Sequence, residues 1–254
     1  MLPGGGLMVE WRSKEWPDLV LRQEKKYCLP SCDVTTLRRL LEGSCERLQP
    51  GSGPVTVVRS IYFDDPLLGA CRENLDGISR RRKLRLRWYD STEPTTTWFE
   101  IKSRRARLSG KQRIELRWQR PITELSYPHL LGALADALPA TARQLLLHRA
   151  EPVVLVEYRR EHFRPLNARG RVTLDYGLTF YAQSPWGVPS FWPLRPLEGL
   201  TILEWKLPVV REHHDDRVAE ITAPLTPRVS RCSKYVHGCR QIGLLGPLAP
   251  WDVD

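Results

Sequence analysis

No apolar run in this 254-residue chain approaches the roughly 18 residues that a membrane span needs. The start, MLPGGGLMVEW, lacks a basic n-region and an apolar h-region, so no secretory leader is expected and a cytoplasmic chain is. The six cysteines, Cys28, Cys32, Cys45, Cys71, Cys232 and Cys239, are scattered. The CLPSC pair has no partner pair at zinc-ribbon spacing, so reduced, partly buried thiols are the expected state. Internal repeats and low-complexity tails are missing. Helix-turn-helix and RNP patterns are missing too, and no aromatic platforms alternate with the basic residues, so no nucleic-acid partner is expected. Nor is there an obvious catalytic His or Cys.

What the chain has is positive charge. Lys and Arg number 39 against 29 Asp and Glu, a net charge of +10. Hydrophobic residues make up 41% and charged residues 27%, the balance of a folded globular chain long enough to bury a core. The partner is therefore expected to be anionic.

The charge is patterned. In FEIKSRRARLSGKQRIEL (99–116), Phe99 and Ile101 point one way, and Glu100, Lys102 and Arg104 point the other. The following strand alternates Lys111, Arg113 and Glu115 with Ile114 and Leu116. The same period-2 pattern predicts strands in LVLRQEKKYCL, VTVVRSIYFDD, RRRKLRLRWYD, VVLVEYRREHF, RVTLDYGLTFY and TILEWKL, eight in all. A helix capped by Ser31 or Asp33 is predicted through about Leu48, helices with breaks at Pro128 and Pro139 fill 122–149, and one or two more follow from about Asp215 to Gly243. The fold class is α+β: an antiparallel sheet or barrel with helices packed outside. One strand face collects Arg22, Glu24, Lys26, Arg85, Arg87, Glu100, Lys102, Lys111, Arg113, Tyr158, Arg160, Arg171, Glu204 and Lys206. That face is either the solvent side of a half-buried sheet or the interior of a closed barrel. Eight strands is the number at which a barrel leaves room for a small ligand.

Eight motifs occur in order: RQEKKY, SIYFDD, KLRLRWY, FEIKSRRARLSGKQR, YRREHF, RVTLD, LEWKL and RCSKY. Together they resemble the polyphosphate polymerase (VTC) domain of the vacuolar transporter chaperone family, within the triphosphate tunnel metalloenzymes and CYTH relatives. The resemblance implies an eight-stranded antiparallel β-barrel, the triphosphate tunnel fold, over 19–243. An extension (1–18) precedes it and a tail (244–254) follows. It implies transfer of the γ-phosphate of ATP, or another nucleoside triphosphate, to a polyphosphate chain, with Mn²⁺ or Mg²⁺. Pyrophosphate and triphosphate are further expected ligands. Hydrolysis of triphosphate or polyphosphate, or binding without catalysis, are the alternatives.

By the same resemblance, Lys26, Arg85, Arg87, Lys102, Lys111, Arg160, Arg171 and Lys234 are the expected catalytic cations. Tyr158, Lys206, Arg231 and Ser233 are expected to bind phosphate, and Glu204, with Glu24 and Glu100 behind it, to bind metal. The triphosphatase pattern E-x-E-x-K is replaced here by Arg22-Gln23-Glu24-Lys25-Lys26, which favours the polymerase branch. No sensor domain and no membrane helices accompany the tunnel motifs in this sequence.

Overall fold

A computed structural model describes residues 22–30, 33–106, 108–166, 170–208 and 229–246. The chain runs β1 (Arg22–Pro30), α1 (Val34–Glu42), β2 (Cys45–Leu48), β3 (Val55–Asp64), α2 (Gly69–Leu75), β4 (Arg80–Tyr89), β5 (Thr96–Arg105) and β6 (Leu108–Arg117). A 3-10 turn (Ile122–Glu124) leads into α3 (Tyr127–Ala137) and α4 (Ala140–His148). Then follow β7 (Glu151–Pro165), β8 (Arg171–Ala182), β9 (Leu194–Leu197), β10 (Leu200–Pro208) and α5 (Lys234–Gln241).

Eight strands close a barrel in the order β7-β3-β4-β5-β6-β1-β10-β8, with β8 returning to β7. All these pairings are antiparallel. Among the described residues, β1 meets β6 through Arg22↔Ser109 and Gln23↔Leu108. The eight expected strands are the eight staves. Two short strands were not expected: β9 pairs with β8, and β2 pairs with β7.

β2 corrects the helix predicted through Leu48. Asp33 does cap α1, accepting the Thr36 N–H at 2.8 Å, but α1 ends at Glu42 with Gly43 as its C-cap. β7 extends past β3, and its free edge from His162 to Pro165 takes Cys45–Leu48 as a strand. The prolines at 128 and 139 start helices rather than break them. Pro128 lies in the first turn of α3, and Pro139 precedes α4. The stretch 215–228 of the helices expected from about Asp215 to Gly243 lies outside the described residues.

Period-2 alternation sends the two strand faces to different surroundings. Leu84, Leu86, Trp88, Phe99, Ile101 and Leu116 face outward and are covered by Leu130 and Leu134 of α3 and Ala142 and Leu146 of α4. Tyr27, Leu29, Leu203 and Trp205 also face outward, under Leu37 and Leu41 of α1.

A third core lies on the inner face. Tyr62, Val154, Val156, Phe180 and Ile202 pack against Tyr235, Val236 and Cys239 of α5. These strand residues share parity with Ser60, Tyr158, Arg160 and Glu204, so α5 packs on the inner face at one end of the barrel. Gly238 permits the approach: a Cβ there would sit 2.9 Å from Cδ1 of Phe180 and 3.2 Å from Cγ2 of Val154. Beyond this apolar stretch, the inner face turns charged.

Candidate functional site

On the β4–β6 side, one carboxylate organises the wall. Glu100 is fully buried. Its Oε2 accepts from Nε (2.8 Å) and Nη2 (2.6 Å) of Arg85, and its Oε1 from Lys111 (3.0 Å). Arg113 stands 3.5 Å from Oε1 and Arg87 3.9 Å from Oε2. Burial opposes charge on Glu100, but Arg85, Arg87 and Lys111 outweigh it and hold the carboxyl well below its ordinary range. Neutral acceptors complete this wall. Tyr62 accepts from Arg85 at 2.9 Å, and Arg87 donates to Ser60 (2.9 Å) and Tyr158 (3.2 Å).

On the facing side, three carboxylates from β1, β8 and β10 meet five cations from β1, β5, β7, β10 and α5. Asp175 takes both arms of Arg160 at 2.6 and 2.7 Å, and Lys234 at 2.5 Å. Glu24 accepts from Lys102 at 2.8 Å. Glu204 is surrounded by Lys26 (3.7 Å), Lys206 (3.6 Å) and Arg160 (3.7 Å), each too far for a hydrogen bond. Its buried Oε1 has no hydrogen-bond partner. Burial would raise Glu204, but Lys206, Lys26, Lys102 and Arg160 hold it well below its ordinary value. Glu24 and Glu204 are diagonal neighbours across the β1–β10 pair, in the register Lys26↔Glu204 and Glu24↔Lys206.

The lysines respond to this crowding in two ways. Burial would lower Lys26, but Glu204 and Glu24 raise it above its ordinary value. Burial outweighs Glu100 at Lys111 and Glu204 at Lys206, and pushes each down to about 8. Lys102 is lowered too, by burial and then Lys26, despite Glu24.

The structure brings Lys26, Arg85, Arg87, Lys102, Lys111, Arg160, Lys206, Lys234, Tyr158, Glu24, Glu100 and Glu204 into these two walls. Arg171 lies on the inner face but at the exposed start of β8, opposite Lys206. Ser233 contributes its Oγ as the cap of α5 and accepts from Lys83 at 2.7 Å. Arg231 stands apart from both walls. It is exposed, and its guanidinium lies against Gly77 in the turn between α2 and β4.

Two charged residues of the site were not picked out from sequence. Asp175 shares parity with Arg171, and Lys83 shares parity with Arg85 and Arg87, so the alternation that revealed their neighbours applied to them as well.

The VTC domain family model matches residues 21–242. The chain is a VTC-domain protein. No curated protein matches it. A solved Vibrio parahaemolyticus structure, described as a candidate adenylate cyclase, is 11% identical with a TM-score of 0.40, covering 80% of this chain and 87% of that one. The match to the VTC family places the chain among phosphate-transferring proteins with polyphosphate- or nucleotide-related activity. Families of this kind use divalent metals. No helix among the described residues of this VTC domain is long and apolar enough to cross a membrane.

The VTC-domain barrel can be tested for a divalent ion on its own atoms. Glu204 offers an orphaned buried oxygen, and Glu24 lies diagonally beside it. Carboxylate oxygens suit Mg²⁺ and Mn²⁺, with phosphate oxygens and water completing the shell. These two residues fit. Glu100 does not fit, because four cations already enclose it.

Proposed function

We propose that this VTC domain transfers the γ-phosphoryl group of ATP to the end of a polyphosphate chain inside the barrel. One observation carries the reading: the inner face gathers far more positive charge than the protein neutralises. Among the described residues, Lys26, Lys83, Arg85, Arg87, Lys102, Lys111, Arg113, Arg160, Lys206 and Lys234 are set against only Glu24, Glu100, Asp175 and Glu204. Lys111 and Lys206, held down to about 8, are poised to regain full charge when an anion arrives. A polyanion is the ligand that this interior accommodates.

Phosphoryl transfer asks for positioning and charge neutralisation more than for covalent chemistry. Arg85 and Arg87 present planar forks suited to phosphate oxygens, pre-aligned by Glu100 and Ser60. Arg160 is held the same way by Asp175, and Lys234 is set over the Tyr158 ring at 4.6 Å. Lys26, Lys102, Lys111 and Lys206 add charge along the phosphate path, with Arg171 at its exposed end. A terminal oxygen of the chain attacks the γ-phosphorus, the bond from that phosphorus to the β–γ bridging oxygen breaks, and ADP leaves. The attacking oxygen is already ionised, so no general base is needed. Bound at Glu204 and Glu24, Mn²⁺ or Mg²⁺ supplies neutralisation of the phosphate oxygens.

Hydrolysis of a short triphosphate is a second reading, favoured by α5 packing into one end of the barrel. Purified protein supplied with ATP and Mn²⁺ separates the two. Polyphosphate chains on a gel, with matching ADP, support transfer. Free phosphate without chains replaces it with hydrolysis, and neither product leaves a binding module.

A further inference from the structure

The end closed by α5 carries a second constellation, outside the phosphate-binding walls. Cys28 of β1, Cys232 and His237 of α5 each turn a ligand atom toward the others, all within 4.8 Å of one another. The fold itself makes this cluster. Residues 229–233 run beside β1: Ser230 donates its N–H to the Lys26 carbonyl at 2.8 Å, and its hydroxyl accepts from the Cys28 N–H at 3.0 Å. Ser233 then caps α5. Cys232 precedes the cap and His237 sits one turn into the helix, the two positions that face each other at a helix start. Cys28 comes to meet them because it shares the inward parity of Glu24 and Lys26.

We propose that Cys28, Cys232 and His237 bind a borderline-soft divalent cation of the Zn²⁺ class, with water as fourth ligand, and that this ion pins α5 to β1. The donor set is two thiolates and an imidazole, the choice of zinc rather than of Mg²⁺ or Ca²⁺. The geometry agrees. Zn–S bonds of about 2.3 Å and Zn–N bonds of about 2.0–2.1 Å at a tetrahedral angle give an S···N edge of about 3.6 Å. Sγ of Cys232 and Nε2 of His237 are 3.6 Å apart. Two thiolates would also cancel the ion's charge, so the site adds no net positive charge beside Lys26, whose Nζ reaches the Cys232 carbonyl at 3.4 Å.

The ion's effect would be positional. Ser233 and Lys234 lie between the two ligands on the 232–237 segment. Fixing that segment fixes the contacts of Ser233 with Lys83 and of Lys234 with Asp175. This site is separate from the hard, carboxylate-based one at Glu204 and Glu24, and the two differ in the ion they select.

Cobalt(II) reads the site directly. Full-length protein, reduced and stripped with a chelator, is titrated with Co²⁺ and followed by absorbance. The expected result is one equivalent giving thiolate-to-cobalt charge transfer and intense visible bands of tetrahedral cobalt, displaced by Zn²⁺ but not by Mg²⁺. Cys28→Ser, Cys232→Ser and His237→Ala should each weaken cobalt binding at least tenfold. Cys71→Ser should leave it intact, since the free thiol of Cys71 lies against that of Cys239 and outside the cluster. A wild-type titration without charge-transfer bands, while thiol titration shows Cys28 and Cys232 free, overturns the proposal. So do bands that persist in Cys28→Ser, or a Cys28–Cys232 disulfide that withstands reduction. The wild-type spectrum decides the matter even if a variant fails to fold.

Discussion

The two walls of the barrel handle buried charge differently. On the β4–β6 side, a single carboxylate, Glu100, faces Arg85, Arg87, Lys111 and Arg113. On the β1–β10–β8–β7 side, Glu24, Asp175 and Glu204 share Lys26, Lys206 and Arg160 with Lys234 of α5 and Lys102 of β5. The first wall is mostly arginine, locked by short hydrogen bonds and strongly under-neutralised. The second is mostly lysine and nearer balance, and one of its carboxylates has an unsatisfied oxygen. Rigid arginine forks suit gripping a phosphate. A looser lysine wall with a spare carboxylate oxygen suits a divalent ion and a moving chain. The difference assigns the clamp to one side and the metal to the other.

The largest expected effect tests the clamp. Arg85→Ala removes a bidentate group from the wall with least neutralisation. Phosphoryl transfer should fall on the order of 10³-fold or more, the range seen when an arginine that stabilises the transition state is lost. Steady-state kinetics with circular dichroism as a folding check measures it. Lys206→Ala, on the other wall, should cost far less, and equal losses would erase the distinction.

Stability tests the same contrast next. Glu100→Gln leaves its cations facing one another in a buried site, and should destabilise by about 3–5 kcal/mol. Tripolyphosphate should restore much of this by replacing the missing negative charge. Glu204→Gln should cost less, because Glu24 still attracts Lys26 and Lys206, and Asp175 still pairs with Arg160. Urea midpoints of the two variants, with and without tripolyphosphate, decide the order. The reverse order would mean that the second wall is the less neutralised one.

Glu204→Gln should instead raise the metal concentration for half-maximal activity, by on the order of 100-fold. An unchanged Mn²⁺ titration would place the ion elsewhere.

The staves were legible in sequence because alternation is local. Arg85, Arg87 and Lys102 announce their face within a few residues. The stopper was not legible, for a physical reason. Val154, Val156 and Ile202 are apolar yet share parity with Tyr158, Arg160 and Glu204, so one strand face passes from α5 to the charged tunnel partway along. Only the docking of α5, some 30 to 80 residues distant in sequence, decides where that change falls. Alternation places Asp175 on the inner face beside Arg171, but its role was not legible, because its partners Arg160 and Lys234 come from opposite sides of it in the chain. β2 escaped because it exists only where β7 outruns β3.

A pH series spans both walls. Burial, opposed by Glu100, sets Lys111 at about 8, and burial, opposed by Glu204, does the same for Lys206. Each is lower than the ordinary lysine value of about 10.4. Both ammonium groups are therefore present below pH 8 and are lost as pH rises through it. Tripolyphosphate affinity should fall roughly tenfold from about pH 7 to 9, with protons taken up on binding near pH 8. Calorimetry in buffers of different ionisation enthalpy reads both effects. A flat profile would mean that neither lysine meets the anion.

The smallest expected effect falls on Lys83. Its Nζ donates to Asn74 Oδ1 at 2.5 Å and to Ser233 Oγ at 2.7 Å, with no carboxylate partner among the described residues. Burial first, then Lys26 and Lys102, pushes it well below the ordinary lysine range. The folded protein thus disfavours its charge, and its removal relieves repulsion from Lys26 and Lys102. Lys83→Met leaves two polar groups short of one donor each, at about 1 kcal/mol apiece. Removing an unpaired buried amine offsets that loss, as replacing buried charge with apolar volume commonly does. Stability should therefore stay within about 1 kcal/mol of wild type in urea. Polyphosphate affinity should fall, because a bound anion favours the charged form of this amine. A loss as large as that of Glu100→Gln would make Lys83 a structural ion, and the excess charge of the barrel would then need an explanation other than a polyanionic ligand.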